Sequence, residues 1–171
     1  MRRKKAEKLK EEQFWNDFFF FNVPAHLNEV PLHLQRVNFR YYHADDEGIE
    51  RMISAVLSIY QLDLDGTDIT NEGIRLLSKL DYLTELRLKE CLGIDDGCVP
   101  DLYQIKGLEL LHLGGTSISP NALVAAGVFK DLKQLFISYY AEDQKILEDL
   151  AILLPEKCKL IVNHKLYELD G

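Results

Sequence analysis

Leu86-Arg-Leu88-Lys-Glu-Cys91-Leu-Gly-Ile94-Asp95-Asp96 decides how this chain is read, because its opening apolar pair returns along the whole sequence. Val37/Phe39, Leu62/Leu64, Leu86/Leu88, Leu111/Leu113, Leu135/Ile137 and Leu160/Val162 follow one another at intervals of 25, 24, 25, 24 and 25 residues. Apolar residues two apart face the same side of an extended strand. After each pair comes a polar turn, then apolar residues every three or four positions, as in Asn71-Glu-Gly-Ile-Arg-Leu-Leu-Ser-Lys-Leu80. That spacing predicts a helix. Two helical columns keep the same register: Ile49, Ile74, Cys98, Leu123 and Leu147, and Ala55, Leu80, Ile105, Phe129 and Leu153. One strand and one helix per unit make successive strands parallel, with the helix as the crossover. The period therefore predicts an α/β, right-handed solenoid. About six short parallel strands line its concave face and helices its convex face, and each unit buries its core against its neighbours.

Working outward, residues 3–21 read as a helix that turns aromatic: Phe14 and Trp15, then Phe18, Phe19, Phe20 and Phe21. Asn22-Val-Pro24 ends it, since the position before proline is pushed away from helical angles. The organisation is thus a basic and aromatic helix over 1–22, a connector over 23–36 with a second break at Pro31, and a repeat domain over 37–171. Each strand is followed by a turn position occupied by Tyr42, Thr67, Cys91, Thr116 and Tyr140. In the leucine-rich repeats that this spacing resembles, the slot carries Asn, Cys or Thr facing inward to satisfy turn backbone, and Thr67, Cys91 and Thr116 fit that role. The two tyrosines mark the outer units as irregular, as terminal repeats are.

Composition narrows the classes. The chain has 171 residues, 47% of them hydrophobic, and a formal net charge of −8. That charge argues against a nucleic-acid binder, which needs clustered positive charge for phosphates. Basic residues crowd one end: Arg2, Arg3, Lys4, Lys5, Lys8 and Lys10. The three cysteines, Cys91, Cys98 and Cys158, lack the even, regular spacing of a disulfide framework, which fits a reducing, intracellular compartment. No apolar run approaches the roughly 20 residues that span a bilayer. The basic start suits a mitochondrial presequence, whereas Glu7, Glu11 and Glu12 do not.

Residues 59–137 resemble the cysteine-containing leucine-rich repeats. Leu86 to Asp96 matches their L-x-L-x-x-C-x-x-I-x-D pattern, and Thr67-Asp-Ile-Thr-Asn-Glu-Gly73-Ile and Thr116-Ser-Ile-Ser-Pro-Asn-Ala are degenerate copies. Such repeats occur in substrate-receptor subunits of ubiquitin ligases, although nothing before residue 37 resembles an F-box. The run Cys91-Leu-Gly-Ile94-Asp95-Asp96-Gly-Cys98, behind an aromatic N-terminal segment, is similar to the small leucine-rich-repeat proteins of mitochondria. That group includes ATP-synthase coupling factor B and the assembly factor of the complex I distal membrane arm. The resemblance implies a non-enzymatic protein-interaction module, a subunit or assembly factor of a respiratory or ATP-synthase complex on the matrix side of the inner membrane. A cytoplasmic adaptor presenting substrates to a ubiquitin ligase or another effector stays open beside it.

Chemistry has little support. Cys91 and Cys98 have no neighbouring histidine and no C-x-x-C spacing, and Cys98 shares a column with Ile and Leu, so both read as packing residues. Cys158, in register with Thr84, Glu109 and Lys133, reads as partly exposed and incidental. His26, His33, His43, His112 and His164 form no i, i+4 pair of the kind zinc uses. Asp45-Asp46-Glu47 and Asp63/Asp65/Asp68 lack calcium-loop spacing and read as solvated turns. No phosphate-binding loop or nucleophile elbow occurs, so the sequence implies no catalytic residue, metal or cofactor.

The outward strand positions can be read directly: Arg36, Asn38 and Arg40; Gln61, Asp63 and Asp65; Glu85, Arg87 and Lys89; Leu110, His112 and Gly114; Gln134, Phe136 and Ser138; Lys159, Ile161 and Asn163. The first half is charged with alternating sign, which reads as a solvated face with opposite-charge support between strands. The second half places Leu110, His112, Phe136 and Ile161 together with Tyr139 near, a patch that reads as partner-binding unless residues 164–171 fold over it. The N-terminal helix has two readings. Trp15, Phe18, Phe19, Phe20 and Phe21 either cap the open end of the first repeat or, with the basic start, meet an anionic membrane surface.

Overall fold

The computed structural model describes residues 2–40, 44–127, 129–141 and 144–169, with the side chains of Arg2 and Arg3 left aside. Tyr42, His43 and residues 170–171 lie outside the described residues. The chain is an α/β structure built on a seven-stranded sheet in the order β1 to β7. The strands are β1 (His33–Asn38), β2 (Ser58–Asp63), β3 (Tyr82–Arg87), β4 (Leu110–His112), β5 (Gln134–Ile137), β6 (Lys159–Val162) and β7 (Lys165–Leu166). The first six are parallel, each hydrogen-bonded to the next in sequence, and β7 returns antiparallel to β6. The expected pairs set the register. Val37, Leu62, Leu86, Leu111, Leu135 and Leu160 are Cα partners in one unbroken row, and all six are buried. β1 begins inside the stretch read as connector, and Leu34 packs into the core beside Val37.

Among the described residues six α-helices accompany the sheet: α1 (Arg2–Asn22), α2 (Asp46–Ala55), α3 (Asn71–Leu77), α4 (Val99–Leu102, behind a short 3-10 turn at Asp96–Cys98), α5 (Pro120–Ala126) and α6 (Lys145–Leu153). α2 to α6 cross between successive strands. The column Ile49, Ile74, Cys98, Leu123 and Leu147 is wholly buried. In the second column Leu80, Ile105 and Phe129 are buried, while Ala55 and Leu153 at the two ends are half-buried.

Caps explain why each helix starts where it does. Asp45, Thr70, Asp95 and Ser119 stand in extended backbone at successive starts, and each side chain accepts a hydrogen bond from an amide of the turn that follows. The caps also tie unit to unit. Asp46 Oδ1 accepts from the Thr70 amide at 2.9 Å and Oδ2 from its hydroxyl at 2.6 Å. Asn71 Nδ2 donates to Asp95 Oδ1 at 2.7 Å. Asp96 accepts from the Ser119 amide and hydroxyl at 2.6 and 2.8 Å. Asp45 and Asp46 therefore serve helix starts; they are more than solvated turn residues. The inward turn positions also find partners: Thr67 Oγ1 and Cys91 Sγ both donate to the Leu64 carbonyl, at 2.7 and 3.0 Å, and Thr116 Oγ1 to the Leu113 carbonyl at 2.8 Å. Tyr140, at the same position one unit on, is 84% exposed.

α1 stands apart from this pattern. Residues 4–13 are exposed, and burial begins at Phe14 and recurs at Phe18 and Asn22, one residue per turn on one side of the helix. Phe14 stacks with Phe39 at a ring separation of 6.4 Å, and Phe18 meets it tilted at 6.1 Å. The Asn38 amide donates to Asn22 Oδ1 at 2.7 Å, fastening the end of α1 to β1. Among the described residues no helix is long and apolar enough to cross a membrane.

Candidate partner-binding face

The register that aligns the core also aligns the outward residues. Asn38, Asp63, Arg87, His112, Phe136, Ile161 and Leu166 are Cα partners in a single row across all seven strands. A second outward row runs Arg36, Gln61, Glu85, Leu110, Gln134 and Lys159. Directly opposed side chains on one face of a sheet lie about 5 Å apart, so these rows are contact surfaces in themselves.

The two ends of the rows differ in kind. At the β1–β3 end the carboxylates are covered, which corrects the expectation of a solvated acidic face. The Arg40 guanidinium pairs with Asp63, Nε to Oδ1 at 3.2 Å, and with Asp65 through Nη2. The side chains of Asp63 and Asp65 keep only 7% and 8% of their surface exposed. Asp63 Oδ1 also accepts from the Asp65 amide at 3.1 Å, and Asp65 Oδ1 from the Lys89 amide at 2.8 Å. Both carboxylates hold the strand-end turns while Arg40 bridges them. Beside them Gln61 Nε2 donates to Glu85 Oε2 at 2.9 Å. This end is polar, and its carboxylates are satisfied from within the chain.

At the β4–β6 end the row is apolar and half-exposed. His112 lies flat on Phe136, ring centres 4.9 Å apart and planes within 4°. Leu110, His112, Phe136, Ile161 and Tyr139 are all half-buried. The Tyr139 backbone is held by Asn163, whose Oδ1 accepts from its amide at 3.0 Å. Part of the returning tail forms a strand beside this patch. β7 pairs beside β6 with Leu166 opposite Ile161, so Leu166, 53% exposed, lengthens the row. The turn that reverses the chain uses Asn163 and His164 at φ of 49° and 67°, the two-residue hairpin geometry that asparagine tolerates.

His112 is held in one orientation. Its Nδ1 accepts from the Gly114 amide at 3.2 Å, which leaves the proton of the neutral ring on Nε2. Burial keeps its protonation below the usual histidine range, and the neighbouring Arg87 and Lys89 push the same way. The thiols are not poised for reaction. Burial raises Cys91, and raises Cys98 to about 12 and Cys158 to about 11, whereas reactive cysteines need a lowered value. His33 contacts the Ser58 hydroxyl at 2.7 Å. Among the described residues no group of three or more His, Cys, Asp or Glu side chains could hold a metal ion.

The aromatic residues of α1 divide. Phe18 is buried, Trp15 and Phe19 pack half-buried against the core, and Phe20 (81%) and Phe21 are exposed.

No protein-family model matches the chain. Over 104 residues it is 30% identical to the Bos taurus protein called ATP synthase subunit s, mitochondrial. The match covers 54% of this chain, which spans about half (51%) of that relative's length.

Three features of the face were not read from sequence. The bridging role of Arg40 depends on a loop-end side chain crossing to the next strand, which alternation alone does not show. Leu166 was visible through its signal, Val162-Asn-His-Lys165, a two-residue turn between apolar and polar strand residues. The locking of His112 by Gly114 was carried by the His-Leu-Gly spacing, which puts the glycine two residues past the strand.

Proposed function

We propose that this chain is a non-enzymatic leucine-rich-repeat solenoid that docks into a larger mitochondrial complex, of ATP-synthase or respiratory type, on the matrix side of the inner membrane. Its docking surface is the outward row His112, Phe136 and Ile161, flanked by Leu110 and Tyr139. The observation that carries this reading is the stacked His112–Phe136 pair, half-exposed in a row that Ile161 and Leu166 continue. Aromatics are enriched where partners bury surface, and a contiguous apolar patch is unusual on a protein that meets nothing. The repeat of strand, turn and capped helix at a constant register step supports the solenoid. Similarity to a protein called an ATP synthase subunit supports membership of a complex. In this reading α1 closes the first unit: Phe14 and Phe18 cover Phe39, as the open end of a repeat array requires. Phe20 lies off that face, and with the basic start it gives α1 a second surface for the membrane or the partner.

Affinity purification of the tagged full chain from its own cells tests the proposal. ATP-synthase or respiratory subunits should be recovered, and Phe136→Ser should lower that recovery through a loss of about 2 kcal/mol in affinity, the scale of an aromatic anchor. The melting temperature of Phe136→Ser should stay close to wild type. Recovery of ubiquitin-ligase subunits would favour the adaptor instead, and undiminished recovery by Phe136→Ser would remove this face from the docking surface.

A further inference from the structure

Arg87 stands at the point where the two ends of the row meet. Its Cα partners are Asp63 on one side and His112 on the other. Asp63 is already held by Arg40. Glu85, two residues earlier on the same face, is held by Gln61. Arg87 is half-buried; its carbonyl accepts from the Leu64 amide at 2.9 Å, while its guanidinium has no hydrogen bond or ion pair among the described residues. A partly desolvated guanidinium without an anion is unfavourable, and its planar fork suits a carboxylate held by two hydrogen bonds.

His112 supplies a second donor at the next strand. The Gly114 amide occupies Nδ1, so the neutral ring carries its proton on Nε2, which has no acceptor among the described residues. The ring is placed by two contacts, the stack on Phe136 and the fold back over the turn. A Cβ on Gly114 would come within 2.8 Å of His112 Cε1, so only glycine leaves room for that placement. The charges acting on His112 are Arg87, Lys89 and His164 against one carboxylate, Asp65. Lys89 is paired with Glu90 and Asp65 with Arg40, which leaves the Arg87 guanidinium beside the apolar row as the charge of this group with no ion pair among the described residues.

We infer that the segment seated on this face is an extended acidic-apolar peptide, its carboxylate held between Arg87 and His112 and its apolar side chains, two and four residues further on, over Phe136 and Ile161. The inference rests on the docking surface proposed above and adds the chemistry of its occupant. The spacing agrees. Strands are about 4.8 Å apart, so from a point midway between Arg87 and His112 the row reaches Phe136 after roughly 7 Å and Ile161 after roughly 12 Å. An extended peptide crossing the strands advances about 3.3 Å per residue, which brings same-facing side chains round at roughly 6.6 and 13 Å. The occupant therefore reads Glu or Asp, any residue, apolar, any residue, apolar.

The test uses the isotopically labelled full chain, titrated in solution NMR with acetyl-Glu-Ser-Leu-Ser-Phe-amide and with its Gln analogue. The Glu peptide should bind about tenfold more tightly, the scale of a charge-assisted hydrogen bond at a partly buried site, and shift the amides of Gly114, Phe136 and Ile161. Arg87→Gln should reduce the Glu peptide to the affinity of the Gln peptide and leave the latter unchanged. Equal affinity of the two peptides for wild type, or a preference that survives Arg87→Gln, overturns the carboxylate site. So does absence of binding by both. The same shifts produced by raising the protein concentration alone would make the occupant a second copy, and shifts produced by anionic phospholipid vesicles would make it a membrane; either overturns the peptide. Whether the face docks anything at all is read separately, by the Phe136→Ser purification, so the two proposals fail by different results.

Discussion

The two ends of the outward face are built from the same strands in the same register, yet they have opposite surface logic. At β1–β3 every acidic side chain on the face has a partner within the chain: Arg40 for Asp63 and Asp65, Gln61 for Glu85. At β4–β6 the equivalent positions hold Leu110, His112, Phe136 and Ile161, which stay half-exposed after stacking on one another. Repeats impose the core and leave the face open to choice. At one end that choice goes to internal ion pairs and hydrogen bonds, and at the other it leaves apolar side chains half-exposed.

The comparison breaks first if the N-terminal end is not what holds the array closed. Phe18 of α1 is fully buried against Phe39, and truncation there removes both the apolar burial and the packing of a neighbouring ring. Phe18→Ala should cost about 3–5 kcal/mol, as large-to-small changes of buried aromatics do. Urea unfolding of the full chain measures it. A change below about 1 kcal/mol would mean that α1 docks without stabilising the sheet, and the surface roles of Phe20 and the basic start would then be the reason for the helix.

Arg40→Ala is the next sharpest cut. It leaves two largely buried carboxylates without their counter-charge, a situation that costs about 3–5 kcal/mol in a fully buried pair. The Arg40 side chain is 47% exposed, so water screens part of this, and roughly 2 kcal/mol is expected. The contrast with Phe136→Ser carries the lesson: Arg40→Ala should lower stability and spare partner recovery, and Phe136→Ser should do the reverse. Equal effects of both changes on both measurements would dissolve the distinction between the ends.

A smaller effect follows from His112. Burial holds its protonation below the ordinary histidine range, so the unfolded chain takes up the proton first as pH falls. The folded state accordingly loses stability as pH drops from about 6.5 towards the lowered folded value, and is unaffected above that window. Unfolding free energy measured between pH 7.5 and 5.5 should fall more for wild type than for His112→Gln. An equal fall in both would mean that the ring is not confined by Gly114 and Phe136.

Much of the sheet was legible because burial on the core side is obligatory. A leucine at 62, 86 or 111 can serve only one purpose in an alternating strand, and the row Val37 to Leu160 followed from spacing. The helical columns were legible for the same reason, down to Cys98 behaving as one more apolar side chain. The outward face was half legible. Its apolar end could be listed residue by residue, since alternation assigns the side. Its polar end could not, because a charged side chain on a strand is compatible with solvent, with a cross-strand pair or with a bridge from a loop. Arg40 reaching Asp63 and Asp65 is the third of these, and only the path of the chain after β1 decides among them. The hairpin was not read: Asn163-His164 reverses the chain, and Leu166 joins the row beside Ile161.

The smallest change addresses the seam between the two ends. The residue before each inward turn position takes a left-handed backbone: Gly66 at φ 71°, Glu90 at φ 61° and Gly115 at φ 74°. Glycine accepts this geometry without steric penalty, whereas a side chain adds about 1–2 kcal/mol. Glu90 is thus the one member of the three that strains its turn, and it sits three residues beyond β3, where the polar end gives way to the apolar one. Its exposed ion pair with Lys89, 3.1 Å long, offsets little of this. Glycine in its place gives back some entropy to the unfolded chain, which removes part of the gain. Glu90→Gly should therefore stabilise the chain by a net amount of about 0.5–1 kcal/mol, read as a raised urea midpoint with an unchanged slope. Partner recovery should not move, since the side chain belongs to neither outward row. A destabilised Glu90→Gly would show that its side chain, packed against the Gly115 turn at a Cγ distance of 3.1 Å from where that residue's Cβ would stand, supports the seam more than its backbone strains it.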